Sequence, residues 1–259
     1  MRAVITGAGG GIGEAVAARL TAVAKAGGER PRLLLVDVAT DRMSALGERL
    51  RDAGAEVTLH VADLADPASC REVGEAARSA FGEGLDALVS NAGVMPPDGP
   101  MLTLSVEDWD LQFAVNARAT WLLACALHPL LSAAEGAVVA TASIASSYPT
   151  PPSNTYAASK AALATTIRQL AVEWGPDGIN CNCVSPGPTH TPMTEVVYGD
   201  AELKRIRGGR IPLGHVAGPD EIAAVITFLA SPEGAYLTGL NIPVDGGLTA
   251  NLMPLYRGS

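Results

Sequence analysis

Charged residues are scarce in this sequence. Asp, Glu, Lys and Arg make up 17% of its 259 residues, whereas typical soluble domains contain about 25%, so we expect more surface than usual to be buried. Basic residues are the scarcer sign, with 18 Lys and Arg against 27 Asp and Glu and a net charge of −9. Because nucleic-acid-binding proteins need a basic surface, no nucleic-acid partner is expected. The apolar fraction of 48% excludes a disordered chain, since disordered chains are poor in apolar residues.

Long apolar runs are also missing. The best candidate, Trp121–Leu131, is about half of the roughly 20 residues that a membrane-spanning helix needs. It also contains His128 and Pro129. We therefore expect no membrane partner. An apolar strand, Arg2–Thr6, begins almost at once, so we expect no secretory leader and a cytoplasmic protein.

Cysteines are few and form no recognisable framework. The sequence has no C-x-x-C pair, and Cys181 and Cys183 alternate within an apolar stretch. Alternation places both side chains on one face of a strand. We predict that these two, with Cys70 and Cys125, are buried and reduced, as in cytosolic proteins. No group of acidic residues has the spacing of metal ligands, so we predict no metal site.

Apolar runs rich in Val, Leu and Ile alternate with Ala-rich segments of helical period. The strands read as continuous apolar runs, as expected when helices cover both faces of a parallel sheet. We therefore predict an α/β fold in one domain over residues 1–259: a doubly wound parallel sheet (Rossmann fold) of about seven strands with helices on both faces. The predicted strands are Arg2–Thr6, Arg32–Asp37, Glu56–Val61, Leu85–Ser90, Gly136–Ser143, Gly178–Val184 and Gly239–Val244. Helices are predicted near residues 11–26, 41–53, 67–81, 106–131, 154–174 and 219–230.

Two stretches interrupt this alternation. Residues 147–154 are proline-rich, and residues 185–212 pass through prolines, a polar basic segment and a glycine pair. Both follow carboxyl ends of predicted strands, where doubly wound sheets bind ligands. Long irregular segments are usually lids or disordered connections, and we predict a substrate lid at about 188–212. Its cations fit either attraction of an anionic substrate or a solvated lid helix; they are Lys204, Arg205, Arg207 and Arg210.

A glycine-rich turn joins the first strand to the first helix. Gly7, Gly11 and Gly13 give the spacing G-x-x-x-G-x-G, and Ile12 occupies the last position of a strict G-x-G-x-x-G. Glycines let the backbone turn tightly and approach a pyrophosphate, which the helix N-terminus then binds. Alone, such a turn also fits a flexible loop. Its place directly after a strand favours a dinucleotide site.

Asp37 ends the second predicted strand, at the distance where an acidic residue meets the adenosine ribose. A carboxylate there accepts hydrogen bonds from the ribose hydroxyls and repels a 2′-phosphate. Arg42 is the nearest basic residue, and we assign it to a solvated helix position. The sequence therefore predicts NAD(H) rather than NADP(H).

Tyr156 and Lys160 lie four residues apart in a helical segment, so they share one helix face. A nearby ammonium favours the phenolate, which makes the pair a plausible acid/base for alcohol and ketone interconversion. Alone, this spacing is typical of ordinary helix-surface neighbours. Ser143, thirteen residues earlier at the end of a predicted strand, adds a hydroxyl that can hold the substrate oxygen.

The sequence resembles the short-chain dehydrogenase/reductase family over essentially its whole length. The matching motifs run in the family's order: Thr6-Gly7-x-x-x-Gly11-x-Gly13, Asp37, Asp63-Leu64, Asn91-Ala92-Gly93, Asn116, Ser143, Tyr156-x-x-x-Lys160, Pro186-Gly187, Thr191-x-Met193 and Asp245-Gly246-Gly247. Each motif is short, but their joint order and spacing are specific.

The resemblance implies a role for each matching residue. Tyr156 is expected to exchange the proton, Lys160 to lower the pKa of Tyr156 and bind the nicotinamide ribose, and Ser143 to orient the substrate oxygen. Asn116 is expected to hold a water that links Lys160 to solvent. The remaining positions are expected to contact the cofactor: Asp63 and Leu64 at the adenine, Asn91 under its middle, and Thr191 at its nicotinamide or pyrophosphate end.

These expectations favour an NAD(H)-dependent oxidoreductase that interconverts a secondary alcohol and its ketone. The Pro-rich stretch 147–154 favours a cyclic, aromatic or otherwise moderately hydrophobic substrate. An NADPH-dependent 3-oxoacyl-thioester reductase is the alternative within the enzyme class, and Asp37 speaks against it. A non-catalytic NAD(P)-sensing protein is the alternative from another class, but it has no need of Ser143, Tyr156 and Lys160 together.

The resemblance also implies a homotetramer. Its subunits are expected to pair through the 106–131 and 154–174 helices and through the C-terminal strand region. The apolar tail 252–256 is hypothesised to cap a neighbour's pocket.

Overall fold

The protein is described by a computed structural model over residues 1–82, 84–95, 99–149 and 153–251. Seven strands form one parallel sheet in the order β3-β2-β1-β4-β5-β6-β7, which confirms the predicted doubly wound fold. The strands are β1 (Arg2–Thr6), β2 (Arg32–Asp37), β3 (Glu56–Val61), β4 (Ala87–Ser90), β5 (Ala137–Thr141), β6 (Asn180–Pro186) and β7 (Asn241–Val244). The strand order reverses direction between β1 and β4, which is where sheets of this kind leave a crevice for ligands.

Helices cover both faces of the sheet. They are α1 (Gly11–Ala26), α2 (Thr40–Asp52), α3 (Pro67–Phe81), α4 (Val106–Phe113), α5 (Ala119–Ala134), α6 (Tyr156–Trp174), α7 (Glu195–Tyr198), α8 (Ala201–Gly208) and α9 (Pro219–Leu229). In β1, Ile5 belongs to a core shared with α1, α2 and α9, whereas Val4 belongs to a core shared with α3, α5 and α6. Both side chains are fully buried, which explains why the strand sequences are continuously apolar.

Some predicted strands begin too early. The predicted ranges from Gly178 and Gly239 start two residues before β6 and β7. These glycines have φ values of +77° and +74°, a left-handed conformation that belongs to a turn rather than to a strand. In addition, β6 continues two residues past the predicted end, to Pro186.

The long helix predicted near 106–131 is interrupted. A π-helical turn, Ala114–Arg118, separates α4 from α5. Such turns insert one extra residue into a helix and are frequent at functional sites. Here the turn contains the predicted site residue Asn116, which is buried.

The predicted irregular stretch 185–212 contains regular structure. A short 3₁₀ turn at Pro192–Thr194 leads into α7, and α8 follows two residues later. The Asp200 side chain caps α8 by accepting hydrogen bonds from the amides of Glu202 (2.8 Å) and Leu203 (2.9 Å). This cap is the local signal for the helix, since Asp is favoured at helix N-termini. The apolar tail 252–256 lies outside the described residues.

The four cysteines have free thiols. Three are buried as predicted, but Cys125 on α5 is exposed, so the prediction was wrong there. The reason is that Cys125 lies on the outer side of α5, whereas Cys181 and Cys183 lie in a strand covered on both faces. In the described residues, no helix combines the length and apolar character needed to cross a membrane.

Candidate active site

One cleft of about 960 Å³ runs along the carboxyl ends of the strands. The structure brings most predicted site residues together on its walls: Gly7, Gly11, Ile12, Asp37, Asp63, Leu64, Asn91, Ser143, Tyr156, Lys160 and Thr191 all line it. Gly13 and Asn116 lie behind this lining. The cleft therefore joins the predicted dinucleotide site to the predicted reactive side chains.

The glycine turn fits close approach of backbone to a ligand. Gly7 has a φ of +62°, and a Cβ on Gly13 would lie 2.2 Å from the Gly7 carbonyl oxygen. Gly13 thus permits the packing of α1 against the turn rather than a contact in the cleft. A Cβ on Gly11 would lie 3.1–3.2 Å from Pro192 and Thr191, so segment 188–212 begins directly over the N-terminus of α1. A dinucleotide pyrophosphate fits this N-terminus, where free amides and the helix dipole favour an anion.

Asp37 is held in place at the end of β2. Its carboxylate accepts hydrogen bonds from the backbone amides of Gly9 and Ala39, both at 2.8 Å. A Cβ on Gly9 would lie 3.3 Å from both the Asp37 carboxylate and Arg42 Cβ. Arg42, which the sequence assigned to a solvated helix position, is exposed but also lines the cleft beside Asp37. The end of β2 therefore presents both a carboxylate and a guanidinium to the cleft.

Hydrogen bonds connect the ends of β1, β4 and β5. Thr6 Oγ1 accepts from the amides of Asn91 (3.1 Å) and Ala92 (3.0 Å). The Asn91 side chain donates to Gly7 O at 3.2 Å and accepts from Thr141 Oγ1 at 3.0 Å. Thr141 O in turn accepts from Lys160 Nζ at 2.8 Å. This chain of contacts fixes Lys160 relative to the glycine turn.

Tyr156 and Ser143 are the predicted reactive pair. Tyr156 begins α6, Ser143 follows β5, and both line the cleft. Desolvation raises the pKa of Tyr156, and the Ser143 side chain lowers it by less. The expected lowering of this pKa by Lys160 stays a prediction, since burial has the larger effect. Lys160 Nζ is bonded to Thr141 O and lies 5.8 Å from the Tyr156 ring centroid.

Lys160 is 3% exposed. Desolvation lowers its pKa from 10.5 to about 8, and the nearby Cys183 raises it slightly. A buried ammonium with a backbone oxygen as its acceptor is held in a fixed position, but its charge is costly. Lys160 therefore places a positive charge in a fixed position at the wall of the cleft.

Asn116 positions the wall opposite Lys160. Its Oδ1 accepts from Val94 N (2.8 Å), and its Nδ2 donates to Val94 O and Ser159 Oγ (both 3.0 Å). A Cβ on Gly93 would lie 3.2 Å from Asn116 Oδ1 and 3.3 Å from Lys160 Nζ, so both groups lie close to Gly93, where a side chain would crowd them. The water expected on Asn116 stays a prediction.

Sequence reasoning missed several residues that line the cleft, among them Thr141 and Leu248. Thr141, the link between Asn91 and Lys160, lies inside an apolar strand where nothing in the sequence singles it out. Leu248 lines the cleft, and its signal was its position directly after Asp245-Gly246-Gly247. In that turn, the Asp245 carboxylate accepts from the amides of Gly247 (2.9 Å) and Thr249 (2.8 Å).

The fold and the cleft are those of a dinucleotide-binding protein, and comparisons with known proteins make this specific. A family model described as enoyl-(acyl carrier protein) reductase matches residues 7–249. The cis-4-hydroxycyclohexanecarboxylate dehydrogenase of Sinomonas cyclohexanicum is 35% identical over 251 residues, with 96% of each chain covered. The chain belongs to the short-chain dehydrogenase/reductase family, whose members are oxidoreductases that use NAD(P).

Other relatives widen the range of similar proteins. The (3R)-3-hydroxyacyl-CoA dehydrogenase of Mus musculus is 35% identical over 255 residues, with 95% of each chain covered. A short-chain dehydrogenase from Burkholderia cenocepacia, solved in complex with NADP, is 32% identical with a TM-score of 0.84. The similarity covers 96% of this chain and 97% of that one.

The buried charge of Lys160 leads to a prediction about how stability depends on pH. Ionised Lys160 opposes folding below pH 8, because its folded pKa of about 8 lies below 10.5; the opposition fades as the pH rises towards 10.5. In Lys160→Met this opposition is removed. We therefore expect Lys160→Met to increase the free energy of unfolding, and to do so by about 2 kcal/mol more at pH 7 than at pH 10.

Urea unfolding at both pH values measures this difference. Lys25→Met, at an exposed lysine at the end of α1, is the control and should change stability by less than about 0.5 kcal/mol. An equal effect of Lys160→Met at the two pH values would contradict the prediction.

Proposed function

We propose that the protein interconverts a secondary alcohol and its ketone, with NAD(H) as the hydride carrier. The observation that carries this proposal is that Ser143 and Tyr156 line the same cleft as the glycine turn and Asp37. The pair supplies a proton donor at one end of the cleft. The turn and the carboxylate supply the features that bind a dinucleotide at the other.

In ketone reduction, Ser143 and Tyr156 have different roles. Ser143 and Tyr156 hold the substrate oxygen with their hydroxyls. A nicotinamide bound in the cleft would supply the hydride that the carbonyl carbon gains. As the C=O double bond becomes a single bond, the oxygen takes the proton of Tyr156. The raised pKa keeps Tyr156 neutral near pH 7, which is the form needed to donate.

Lys160 acts on the phenolate that the transfer leaves. Its ammonium lies 5.8 Å from the Tyr156 ring centroid, and an opposite charge stabilises the anion. Our proposal also has Lys160 bind the nicotinamide ribose and has Asn116 hold the water that returns a proton to this pair. In alcohol oxidation the same steps run in reverse, with Tyr156 as the base.

The proposed substrate is a moderately hydrophobic or cyclic alcohol. Apolar side chains of Val94, Met95, Ile144 and Tyr148 line the cleft. The Sinomonas relative is named for a ring-bearing secondary alcohol, which supports the same class. The Pro-rich wall that first suggested it lies partly at residues 150–152, outside the described residues.

Segment 188–212 is the proposed substrate lid of a single catalytic domain, residues 1–259. Thr191, Met193, Tyr198 and Arg207 from this segment all line the cleft. Its first residues lie against the glycine turn. A segment that touches both ends of the cleft is suited to cover a bound substrate.

The proposed preference for NAD(H) rests on Asp37. A carboxylate fixed by two amides at the end of β2 repels a 2′-phosphate. Arg42 opposes this preference, because its guanidinium is the kind of group that accepts that phosphate. Asp37 is bonded into the glycine turn and Arg42 is not, so we give the carboxylate the larger effect.

A 3-oxoacyl-thioester reductase with NADPH is the second candidate. The mouse relative, named as a 3-hydroxyacyl-CoA dehydrogenase, and the position of Arg42 both favour it. Preference for NADP(H) together with turnover of a 3-oxoacyl thioester would select it. A non-catalytic NAD(P) sensor would bind cofactor and turn over neither class of substrate.

We further propose a homotetramer. A groove of about 1000 Å³ is lined by residues of α4, α5 and α6, and Trp121 in it is 47% exposed. Among the described residues, β7 has no partner strand on its outer side, and such edges are commonly covered. Light scattering that gives the mass of one chain would contradict this assembly.

We place the enzyme in the cytoplasm, where reducing conditions keep free cysteines as thiols. Three buried free thiols support this placement. Recovery of the native protein from a secreted fraction would contradict it.

Tyr156→Phe tests the mechanism. The variant keeps the ring but loses the transferred proton, so we expect kcat to fall by about 10²- to 10⁴-fold. The measurement is NADH absorbance with a panel of cyclic and open-chain secondary alcohols and ketones. NADH binding, followed by fluorescence, should be retained. Tyr236→Phe, at a fully exposed tyrosine, should behave as the unmodified enzyme; near-normal turnover by Tyr156→Phe would refute the mechanism.

Asp37→Asn tests the cofactor preference. It removes the charge that repels a 2′-phosphate, so the ratio of kcat/KM for NAD to that for NADP should fall by about 10-fold or more. Asp41→Asn, at an exposed acid in the first turn of α2, is the matched control and should leave the ratio unchanged. An unmodified enzyme that prefers NADP would overturn our interpretation of Asp37.

A further inference from the structure

Five charged side chains line the cleft in the part of the chain that the structure describes: Asp37, Arg42, Asp63, Lys160 and Arg207. Asp37 and Arg42 adjoin the glycine turn at the end of β2, and Asp63 follows β3. Lys160 is bonded to Thr141 at the reactive centre. Arg207, on α8, belongs to neither group. It is the charge that segment 188–212 adds to the cleft.

The acidic residues around Arg207 bind other partners. Glu195 is paired with His190 (2.7 Å), and Glu202 binds Arg205 through both oxygens (2.8 and 2.7 Å). Asp200 caps α8. Over the described ranges, Arg207 takes part in no ion pair. Its recorded contact is with the ring of Tyr198, whose centroid lies 5.5 Å from Cζ.

The helix that bears Arg207 is fastened to the chain that follows β6. Lys204 Nζ lies 2.9 Å from His190 Nδ1. Since an ammonium only donates, Nδ1 accepts, and the Nε2 proton of His190 goes to Glu195. The His190 amide donates to Ala217 O at 2.9 Å. Through these contacts α8 is held at a fixed point above the sheet, with a guanidinium facing the cleft.

We propose that Arg207 binds an anionic group of the substrate, so that the substrates are secondary alcohols or ketones bearing a carboxylate away from the reacting carbon. This inference rests on the proposed function. Arg207 is exposed and pairs with no acid in the described residues, and its guanidinium lies near the Tyr198 ring at the cleft wall. Such a group matches the planar, two-oxygen geometry of a carboxylate. The apolar walls then contact the carbon skeleton between the carboxylate and the reacting oxygen.

The cofactor pyrophosphate is the other oxyanion that can enter this cleft. Thr191 and Pro192 lie over the glycine turn. Arg207 lies farther along the same segment, on α8, the second helix after them. The two sources predict different kinetics. A substrate contact affects only charged substrates, and a pyrophosphate contact affects the cofactor with every substrate.

The test compares keto acids with their neutral esters. The probes are 4-oxocyclohexanecarboxylate and 4-oxopentanoate, each beside its methyl ester. In Arg207→Gln we expect kcat/KM for the acids to fall by about 10- to 100-fold, mainly through KM. The esters should change by less than about threefold. Arg207→Lys should recover part of the loss. Arg210→Gln, an exposed arginine that does not line the cleft, removes the same charge and should match the unmodified enzyme.

Each result decides something. Equal losses for acids and esters, or unmodified enzyme that prefers esters, would overturn the inference while leaving the proposed function intact. A raised KM for NAD with an ester substrate would assign Arg207 to the pyrophosphate instead. If no probe is turned over, calorimetry with the NADH-loaded enzyme separates the two proposals. Acid binding that Arg207→Gln removes would support the anion site without the reaction, and acid binding that it leaves unchanged, or no acid binding at all, would overturn the site.

Discussion

The hydrogen bond from Lys160 Nζ to Thr141 O fixes the geometry on which the reactive end of the molecule depends. It places an almost fully buried ammonium between β5 and α6. Desolvation opposes this charge and lowers its pKa to about 8, so the surrounding contacts have to hold it there. Thr141 provides them by also bonding to Asn91, which is bonded to the glycine turn. Lys160 and the glycine turn are therefore parts of one hydrogen-bonded structure.

The parallel sheet explains why these residues meet. Thr6, Asn91 and Thr141 lie far apart in the chain, yet each follows or ends a strand whose carboxyl end faces the same side. Parallel strands bring such positions to one edge, and the divergence between β1 and β4 opens space there. Because both faces of the sheet are covered by apolar helices, polar chemistry is confined to this edge and to the segments that follow it.

The sequence was sufficient for the strands, the glycine turn and the Ser143, Tyr156 and Lys160 set, since each depends on local pattern or on motif order. It failed where tertiary contact decides. Asn116 lies in a π-helical turn that no periodicity signals, and Gly178 was included in a strand although its backbone is left-handed. Four-residue spacing predicts that Lys160 lies near Tyr156, but it does not reveal the burial that raises the pKa of Tyr156. Similarly, the exposed position of Arg42 was correct, but its place beside Asp37 required the fold.

The short helix α8 places the cations Lys204, Arg205 and Arg207 on different sides of its axis. Successive residues of an α-helix are rotated by about 100°, so Arg205 and Arg207 point in nearly opposite directions, and Lys204 lies on the same side as Arg207. The outward arginine is neutralised by Glu202, and the inward pair faces His190 and the cleft. In a protein with a net charge of −9, positive potential is thus concentrated on one side of two helical turns. Deleting a single residue of α8 before Lys204 would therefore turn Arg205 into the direction that Lys204 now has and turn Arg207 away from the cleft, while leaving the cations of the cluster intact.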